Sequence, residues 1–240
     1  MSVEIIAEVA SNHGGSIPLA KEFIARCADA GADWVKFQTT RVKHLRPDDP
    51  QYAWFQQAEL SDDAHWELKA ACEGAGVKML TTVYHHADVP FVASLGLAAI
   101  KIGSGEAHEE ALAEAVLAVP DTLVYVSDGI QPCAAQYLTT RRRVRRLRCT
   151  ARYPAPPTPL STPFGDRTLQ HNGWSDHSVG IAMCDAAILL GATIIEKHVC
   201  LPQQARPVQP WEATVEEFKA LRAFADEDPA AKYIGRWQHA

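Results

Sequence analysis

The feature that most constrains the fold is a regular alternation of short apolar runs with helix-like stretches. Residues 5–10 form an apolar run typical of a strand, and the apolar residues in 17–30 recur at helical spacing before Gly31. Residues 34–39 begin the next such unit, and the pattern continues to an eighth strand at 193–199. Strands that alternate with helices form parallel sheets, because each helix returns the chain to the same end of the sheet.

The sixth connection between strands breaks this alternation. Five prolines in residues 154–163 leave no room for a helix, because an interior proline removes a backbone hydrogen bond and clashes with the preceding turn. We therefore predict an α/β protein, a (β/α)8 TIM barrel whose sixth crossover is a loop. Its length of 240 residues fits a single barrel domain over residues 1–240. A doubly wound open sheet is the alternative.

The composition argues against several classes of function. A formal net charge of −6 does not suit a surface for nucleic acid or anionic membranes. No apolar run is long enough to span a bilayer and no signal-peptide pattern precedes the first strand, so we expect a cytoplasmic protein. The six cysteines contain no CxxC pair, which is typical of reduced, buried thiols. We interpret the basic run at 141–146 as a solvated helix end rather than a polyanion site.

Polar side chains stand at the ends of several predicted strands. Ser175 and His177 are two residues apart on the seventh strand, as are Glu196 and His198 on the eighth. Side chains two apart in a strand point to one side, so the two imidazoles can converge on one point. In a barrel, the carboxyl ends of the strands and the following loops carry the catalytic groups. The other candidates there are Glu8, Asn12, His13, Lys36, Gln38, Lys101, Ser104, Glu106, Ser127 and Tyr153.

Taken in order, these segments resemble the sialic acid synthase family. Its members are phosphoenolpyruvate-dependent enzymes that condense an aldehyde sugar with a three-carbon enolate. The resemblance covers the barrel from residue 5 to about residue 200, and it implies phosphoenolpyruvate and an aldehyde as substrates and a homodimer. The segments that carry it are 7–15 (AEVASNHGG), 30–39 (AGADWVKFQT), 101–106 (KIGSGE), 149–154 (CTARYP), 175–180 (SDHSVG), and 191–192 with 194–198 (GA, IIEKH).

The resemblance also implies a divalent metal, Mn²⁺ or Mg²⁺, held by His177 and His198. Two neutral imidazoles at adjacent strand ends suit a divalent ion that keeps open positions for substrate and water. Such an ion would polarise the aldehyde oxygen as a Lewis acid. The alternative is a pair of hydrogen-bonded core histidines.

Further roles follow from the resemblance alone. Ammonium and hydroxyl donors suit the carboxylate and phosphate of phosphoenolpyruvate, and the donors implied here are Lys36, Lys101, Ser104, Ser127 and Ser175. The implied catalytic carboxylates are Glu106, Glu8 and Glu196. We expect Glu106 to activate the water that attacks C2 of phosphoenolpyruvate, whereas ion pairs with lysines are an alternative role for the other two. Gln38 and Tyr153 are expected to contact the aldehyde, and Asn12 to bind substrate.

The chain departs from the family pattern in several places. We expect no counterpart of the family's small C-terminal antifreeze-like domain. Asp128 follows the fifth strand and Ala151 follows the sixth, where the family has a Thr-Gly-Met stretch and a polar residue respectively. A carboxylate beside a phosphate pocket would weaken it unless a cation compensates. Residues 206–211 replace a Gly-Pro-Asp-His segment, which predicts a different aldehyde acceptor.

Three functions remain open on this reasoning. The first is a metal-dependent, C–C bond-forming transfer of phosphoenolpyruvate to a sugar or sugar-like aldehyde, giving a 3-deoxy-2-keto acid and phosphate. The second is a metal-dependent aldolase or lyase that acts on a small ketoacid. The third is a non-catalytic barrel subunit of a biosynthetic complex, an interpretation favoured by Asp128 and Ala151.

Overall fold

The structure is a computed structural model that describes residues 2–140, 142–160, 164 and 171–227. Among these residues the strands are β1 Glu4–Ala10, β2 Trp34–Thr39, β3 Lys78–Val83, β4 Ala99–Ile102, β5 Leu123–Ser127, β6 Val144–Cys149, β7 His171–Asp176 and β8 Ile194–His198. All neighbouring strands are parallel, and β1 pairs with both β2 and β8, so the sheet closes on itself. The predicted TIM barrel is confirmed, and the open sheet is wrong.

Helices cover the outside of the barrel. In the described part of the chain they are α1 Ile17–Asp29, α2 Tyr52–Ala58, α3 Asp62–Gly74, α4 Val89–Ser94, α5 Glu110–Leu117, α6 Ala135–Thr139, α7 Ala182–Leu189 and α8 Val215–Asp226. Local sequence defines several of their starts. The Ser16 hydroxyl accepts a hydrogen bond from the backbone N–H of Leu19 at the start of α1, and Thr214 and Glu217 form a capping box at the start of α8.

Two helices differ from the sequence prediction. The sequence allows a helix over residues 132–143, but the structure has a helix only over Ala135–Thr139, and β6 begins at Val144. The interpretation of the basic run as a helix end is therefore wrong, because Arg145 and Arg146 lie on a strand. Conversely, the polar segment between the second strand and Ser61 predicts a long loop, whereas the structure has the helix α2 there. The described residues of the sixth connection, 150–160 and 164, contain no helix.

The core has three parts. Outward-facing strand residues such as Val35 and Ile195 pack against α1, α3, α7 and α8, and a second cluster around Val124 and Ile102 packs against α5. The third part lies inside the barrel and fills its lower half. No helix of the described segments has the length and apolarity needed to cross a membrane. All six cysteines are free thiols.

Candidate active site

Two layers of inward-facing side chains fill the barrel, and the upper layer forms the candidate site. The lower layer is apolar and consists of Ile6, Trp34, Leu80, Ala99, Tyr125, Leu147 and Ile194. Two residues further along each strand, the side chain points inward again, one layer higher. This upper layer consists of Glu8, Lys36, Thr82, Lys101, Ser127, Cys149, Ser175 and Glu196. All eight strands therefore contribute one side chain to the floor of a single cleft.

The walls of this central cleft come from the strand ends and the loops that follow. They consist of Gln38, Tyr84, Gly103, Ser104, Tyr153, His177 and His198. The cleft encloses a cavity of about 90 Å³ and opens to solvent at the carboxyl ends of the strands. Of the site residues predicted from sequence, all line this cleft except Asn12, His13 and Glu106.

Four buried charges meet at the floor. Lys36 Nζ contacts the Glu8 carboxylate and lies 2.7 Å from Glu196 Oε2. Lys101 Nζ lies 3.4 Å from Glu196 Oε1 and donates a 2.9 Å hydrogen bond to Ser127 Oγ. Ser175 Oγ donates to Glu196 Oε1 at 2.8 Å. Glu196 thus connects both lysines.

Burial shapes the protonation of this cluster. It lowers the pKa of Lys36 to about 7 against the opposing effect of Glu196, and the positive charge of Lys101 adds to the decrease. Burial alone would raise the pKa of Glu196, but Lys101 and Lys36 hold it well below its ordinary value. Glu8 Oε1 is buried without a hydrogen-bond partner among the described residues. A buried carboxylate with an unused oxygen is costly, which is typical of a site that awaits a ligand or water.

The two histidines lie side by side at the mouth, as predicted. Their ring centroids are 5.6 Å apart. His177 Nδ1 lies 2.9 Å from the carbonyl oxygen of Thr150, and Nε2 lies 3.0 Å from the Tyr153 hydroxyl. Because a carbonyl only accepts, Nδ1 carries the proton and Nε2 keeps its lone pair. His198 Nδ1 is buried and has no partner in the described part of the molecule.

Both imidazoles are neutral at neutral pH. Burial lowers the pKa of His177, and burial, together with electrostatic repulsion from His177 and Lys36 when these groups are protonated, holds the pKa of His198 well below its ordinary value. Neutral imidazole is the form that binds metals, and a backbone carbonyl on Nδ1 is a common support for a ligating histidine. Within residues 2–140, 142–160, 164 and 171–227, no group of three or more His, Cys, Asp or Glu side chains is arranged to hold a metal. Any ion at the histidine pair would need water or substrate as further ligands.

Glu106 lies at the rim rather than at the floor. It lines an adjoining pocket that shares Tyr84 with the central cleft. Burial raises the pKa of Glu106, although Lys101 opposes this effect. A carboxylate with a raised pKa exchanges protons more readily near neutral pH.

Asn12 does not reach the cleft, and its predicted contact with substrate has no structural support. Its Nδ2 donates to Glu212 Oε1 at 2.9 Å and to the Val199 carbonyl oxygen at 3.0 Å, and its Oδ1 accepts from Arg206 Nε at 2.7 Å. Asn12 therefore joins the loop after β1 to the loop after β8. His13 is also buried away from the cleft and packs against the ring of Phe37.

Asp128 does not add an uncompensated negative charge to the central cleft. Its carboxylate contacts the guanidinium of Arg146 and lies 2.9 Å from His171 Nε2. These partners outweigh burial and lower the pKa of Asp128. The compensating cation that the sequence argument required is thus present, and Asp128 does not line the central cleft.

Sequence reasoning missed several lining residues. Thr82 and Cys149 occupy the upper layer, and the two-residue spacing from Leu80 and Leu147 would have found them. Tyr84 is half-buried and lines both the central cleft and the adjoining rim pocket that contains Glu106. An adjoining cavity, the outer pocket, shares Gln38, Tyr153 and His198 with the central cleft and is completed by Ala10, Ser11, Gln51, Phe55, Arg206, Gln209 and Trp211.

Comparisons with known proteins agree with this geometry. The profile of the NeuB family matches residues 23–226. The chain belongs to the NeuB family. This confirms the resemblance to sialic acid synthases seen in the sequence.

Several relatives of this NeuB-family chain are sugar-acid synthases. The N,N'-diacetyllegionaminic acid synthase of Campylobacter jejuni is 31% identical over 225 residues, covering 82% of this chain and 67% of the relative. The N-acetylneuraminate-9-phosphate synthase of Drosophila melanogaster is 30% identical over 235 residues, covering 85% and 62% respectively. The chain therefore spans about two thirds of the length of these relatives.

A solved structure supports the fold. The crystal structure of N-acetylneuraminic acid synthetase from Leptospira borgpetersenii matches with a TM-score of 0.81. The match covers 100% of this chain and 92% of that chain at 23% sequence identity. At this identity the likeness concerns the arrangement of the barrel and not the substrate.

Proposed function

We propose that this protein condenses phosphoenolpyruvate with a sugar or sugar-like aldehyde to give a 3-deoxy-2-keto acid and inorganic phosphate. The observation that carries the proposal is the buried floor of the central cleft. Lys36 and Lys101 both point into it, beside hydroxyl groups and below a pair of neutral histidines. Buried lysines are rare unless paired or bound to a ligand, and two in one cleft suit a small polyanion.

Phosphoenolpyruvate matches this floor in charge. Its phosphate and carboxylate together bring up to three negative charges, which two ammonium groups offset in large part. The hydroxyls of Ser104, Ser127 and Ser175 supply uncharged donors around the same space. The ligand would compete with Glu8 and Glu196 for the lysines, so binding exchanges one set of ion pairs for another rather than burying new charge alone.

The reaction joins C3 of phosphoenolpyruvate to the aldehyde carbon and leaves positive charge at C2. Water adds to C2, and the C–O bond to phosphate then breaks. Glu106 is the proposed acceptor of the proton from that water, because its raised pKa and its place at the rim suit proton exchange with solvent. Glu8 and Glu196 hold the lysines in place and are available for proton transfer at the floor.

A divalent metal, Mn²⁺ or Mg²⁺, fits the histidine pair. Two neutral imidazoles, one of them with an unpartnered buried nitrogen, are the donors that such an ion needs. When bound, the ion would supply Lewis-acid polarisation of the aldehyde. Gln38 and Tyr153 line both the central cleft and the outer pocket, so we place the aldehyde across this junction.

The test measures both products of the proposed reaction with the purified protein. Phosphate release from phosphoenolpyruvate is measured with a panel of aldoses in the presence of Mn²⁺ or Mg²⁺. The organic product is identified from its mass by mass spectrometry. We expect release only when aldehyde and metal are both present, and a loss of about 100-fold or more in Glu106→Gln. Chelation should abolish release, and metal should restore it.

Other outcomes would identify the remaining candidates. Product formation from pyruvate instead of phosphoenolpyruvate would favour an aldolase or lyase. A protein that releases no phosphate and is not stabilised against heat by phosphoenolpyruvate would favour a non-catalytic subunit, because any ligand that binds only the folded state raises the unfolding temperature.

A further inference from the structure

The outer pocket has an unusual balance of hydrogen-bonding groups. The polar groups that line it are two hydroxyls, three carboxamides, one imidazole, one indole N–H and one guanidinium, and no carboxylate of the described residues belongs to the lining. Three aromatic rings complete it, from Phe55, Tyr153 and Trp211. Carboxylates commonly accept hydrogen bonds from the hydroxyls of a neutral sugar. This pocket instead places the fixed donor Arg206 at its wall.

One edge of the Arg206 guanidinium donates hydrogen bonds to neighbouring side chains, and the other edge has no such partner among the described residues. Nε donates to Asn12 Oδ1 at 2.7 Å, and Nη2 donates to Glu212 Oε1 at 3.3 Å. Nη1 makes no hydrogen bond within the described residues. The end-on edge, Nη1 with the second hydrogen of Nη2, is therefore available to a ligand. This edge presents two parallel N–H donors, the fork that matches two oxygens of a carboxylate or phosphate.

Glu212 fixes the guanidinium from behind. Its side chain is fully buried, and its Oε1 accepts from Asn12 Nδ2 as well as from Arg206. Its Oε2 accepts from Gln204 Nε2 and from the backbone N–H of Gln209, each at 2.9 Å. The carboxylate is thus shared among four donors and is not a dedicated counter-ion of Arg206. The indole of Trp54 lies on another side, 6.0 Å from the guanidinium carbon.

We propose that Arg206 binds an oxyanion of the acceptor, so that the aldehyde substrate is an aldose bearing a phosphate or a carboxylate. The inference rests on the proposed function, in which the outer pocket receives the acceptor. Arg206 and His198 line the same pocket, so an acceptor bound there can reach the mouth of the central cleft with one end and the guanidinium with the other. Glu212 acts as a positioning residue, because it touches Arg206 and not the pocket.

The experiment measures binding apart from catalysis. Isothermal titration compares arabitol 5-phosphate with arabitol, which lack the aldehyde, in the presence of saturating phosphoenolpyruvate so that the central cleft is occupied. We expect the phosphorylated member to bind about 10- to 100-fold more tightly, as expected for one charge-assisted fork. A second arm compares gulonate with glucitol, the reduced forms of glucuronate and glucose, which also lack the aldehyde. This pair separates a preference for carboxylate from one for phosphate.

Matched variants test the residue. Arg206→Gln should reduce the ratio of neutral to anionic dissociation constants to about 1, and Arg206→Lys should restore it only in part, because ammonium lacks the fork. Arg152→Gln, which removes an exposed arginine from the same end of the barrel, should leave the ratio unchanged. Glu212→Gln, which removes the charge that orients the Arg206 guanidinium, should lower the ratio part of the way towards 1 and leave the dissociation constants of the neutral ligands unchanged. Equal weakening of neutral and anionic ligands would show that Glu212 only holds the loop and would contradict its positioning role.

The outcomes separate this inference from the proposed function. Equal binding of anionic and neutral members, or a preference that persists in Arg206→Gln, overturns the inference while leaving the condensation intact. Failure of phosphoenolpyruvate to bind overturns the proposed function. In that case the same titration without phosphoenolpyruvate still decides whether Arg206 selects an anion.

Discussion

Two buried ion-pair clusters lie on opposite faces of the sheet at β7 and β8. They differ in how many of their charged atoms have a hydrogen-bond or ion-pair partner. Lys197 and Asp176 point outward from the barrel, where both side chains are fully buried and their charged atoms are 2.5 Å apart. Asp176 Oδ1 also accepts from Trp174 and Ser178, and Lys197 also donates to the Ser178 carbonyl. This outer pair has a partner for every charged atom.

The inner cluster on the neighbouring residues is different. Glu196 points into the central cleft together with Lys36 and Glu8, and Glu8 Oε1 lacks a partner among the described residues. His198 Nδ1 lacks one as well. Residue types and burial are similar on the two sides of the sheet, so neither identifies the site. Incomplete hydrogen bonding around a cavity distinguishes a cluster that binds a ligand from one that holds the fold.

The largest expected effect is on stability, from the outer pair. Lys197→Met should lower the free energy of unfolding by about 3–5 kcal/mol, because it leaves the buried carboxylate of Asp176 unpaired. Urea unfolding followed by circular dichroism measures it. The double variant Asp176→Asn, Lys197→Met should recover part of the loss, and a single variant as stable as the parent would remove the contrast between the two clusters.

A smaller effect, on ligand affinity, is expected from the inner cluster. Lys101→Met should weaken binding of phosphoenolpyruvate by about 10- to 100-fold, because one charge-assisted contact is lost. Its stability loss should be smaller than that of Lys197→Met, since the cleft admits water to Glu196. Titration calorimetry measures the affinity, with the exposed Lys21→Met as the matched control. Unchanged affinity would show that the inner lysine is structural too.

The smallest effect concerns pH. Because the pKa of Lys36 is lowered to about 7, the ammonium is present below pH 7 and is lost above it. The apparent dissociation constant of phosphoenolpyruvate should therefore rise by up to about tenfold between pH 7 and pH 8. Lys36→Arg, which stays charged, should lose this slope between pH 7 and 9 whatever its absolute affinity. A flat profile in the parent protein would contradict the assignment.

Much of the site was predictable because strands impose a period of two. Lys36 with Gln38, and Glu196 with His198, follow from alternation along single strands, and their convergence follows from the barrel. Thr82 and Cys149 obey the same rule but were missed, since small neutral side chains do not stand out in a sequence. The helix α2 was missed because seven residues are too few to show a clear period.

No local sequence pattern predicts the contacts of Asn12. It meets Arg206 and Glu212 across separations of 194 and 200 residues. A motif beside a predicted active site suggested contact with substrate, whereas the structure uses the side chain to join two loops. Sequence proximity to a site does not fix where a side chain points once the chain has left the strand.

The sequence by itself determined the order of strands and helices, the family, and which side chains share a face of each strand, because periodicity and turn residues act over a few positions. Only the tertiary structure decided which buried charges are fully paired, where the outer pocket lies, and that the loops after β1 and β8 are tied together. The physical reason is closure of the barrel: hydrogen bonding of β1 to β8 brings strands that are about 190 residues apart in the sequence side by side, and no local pattern records the partners that meet there.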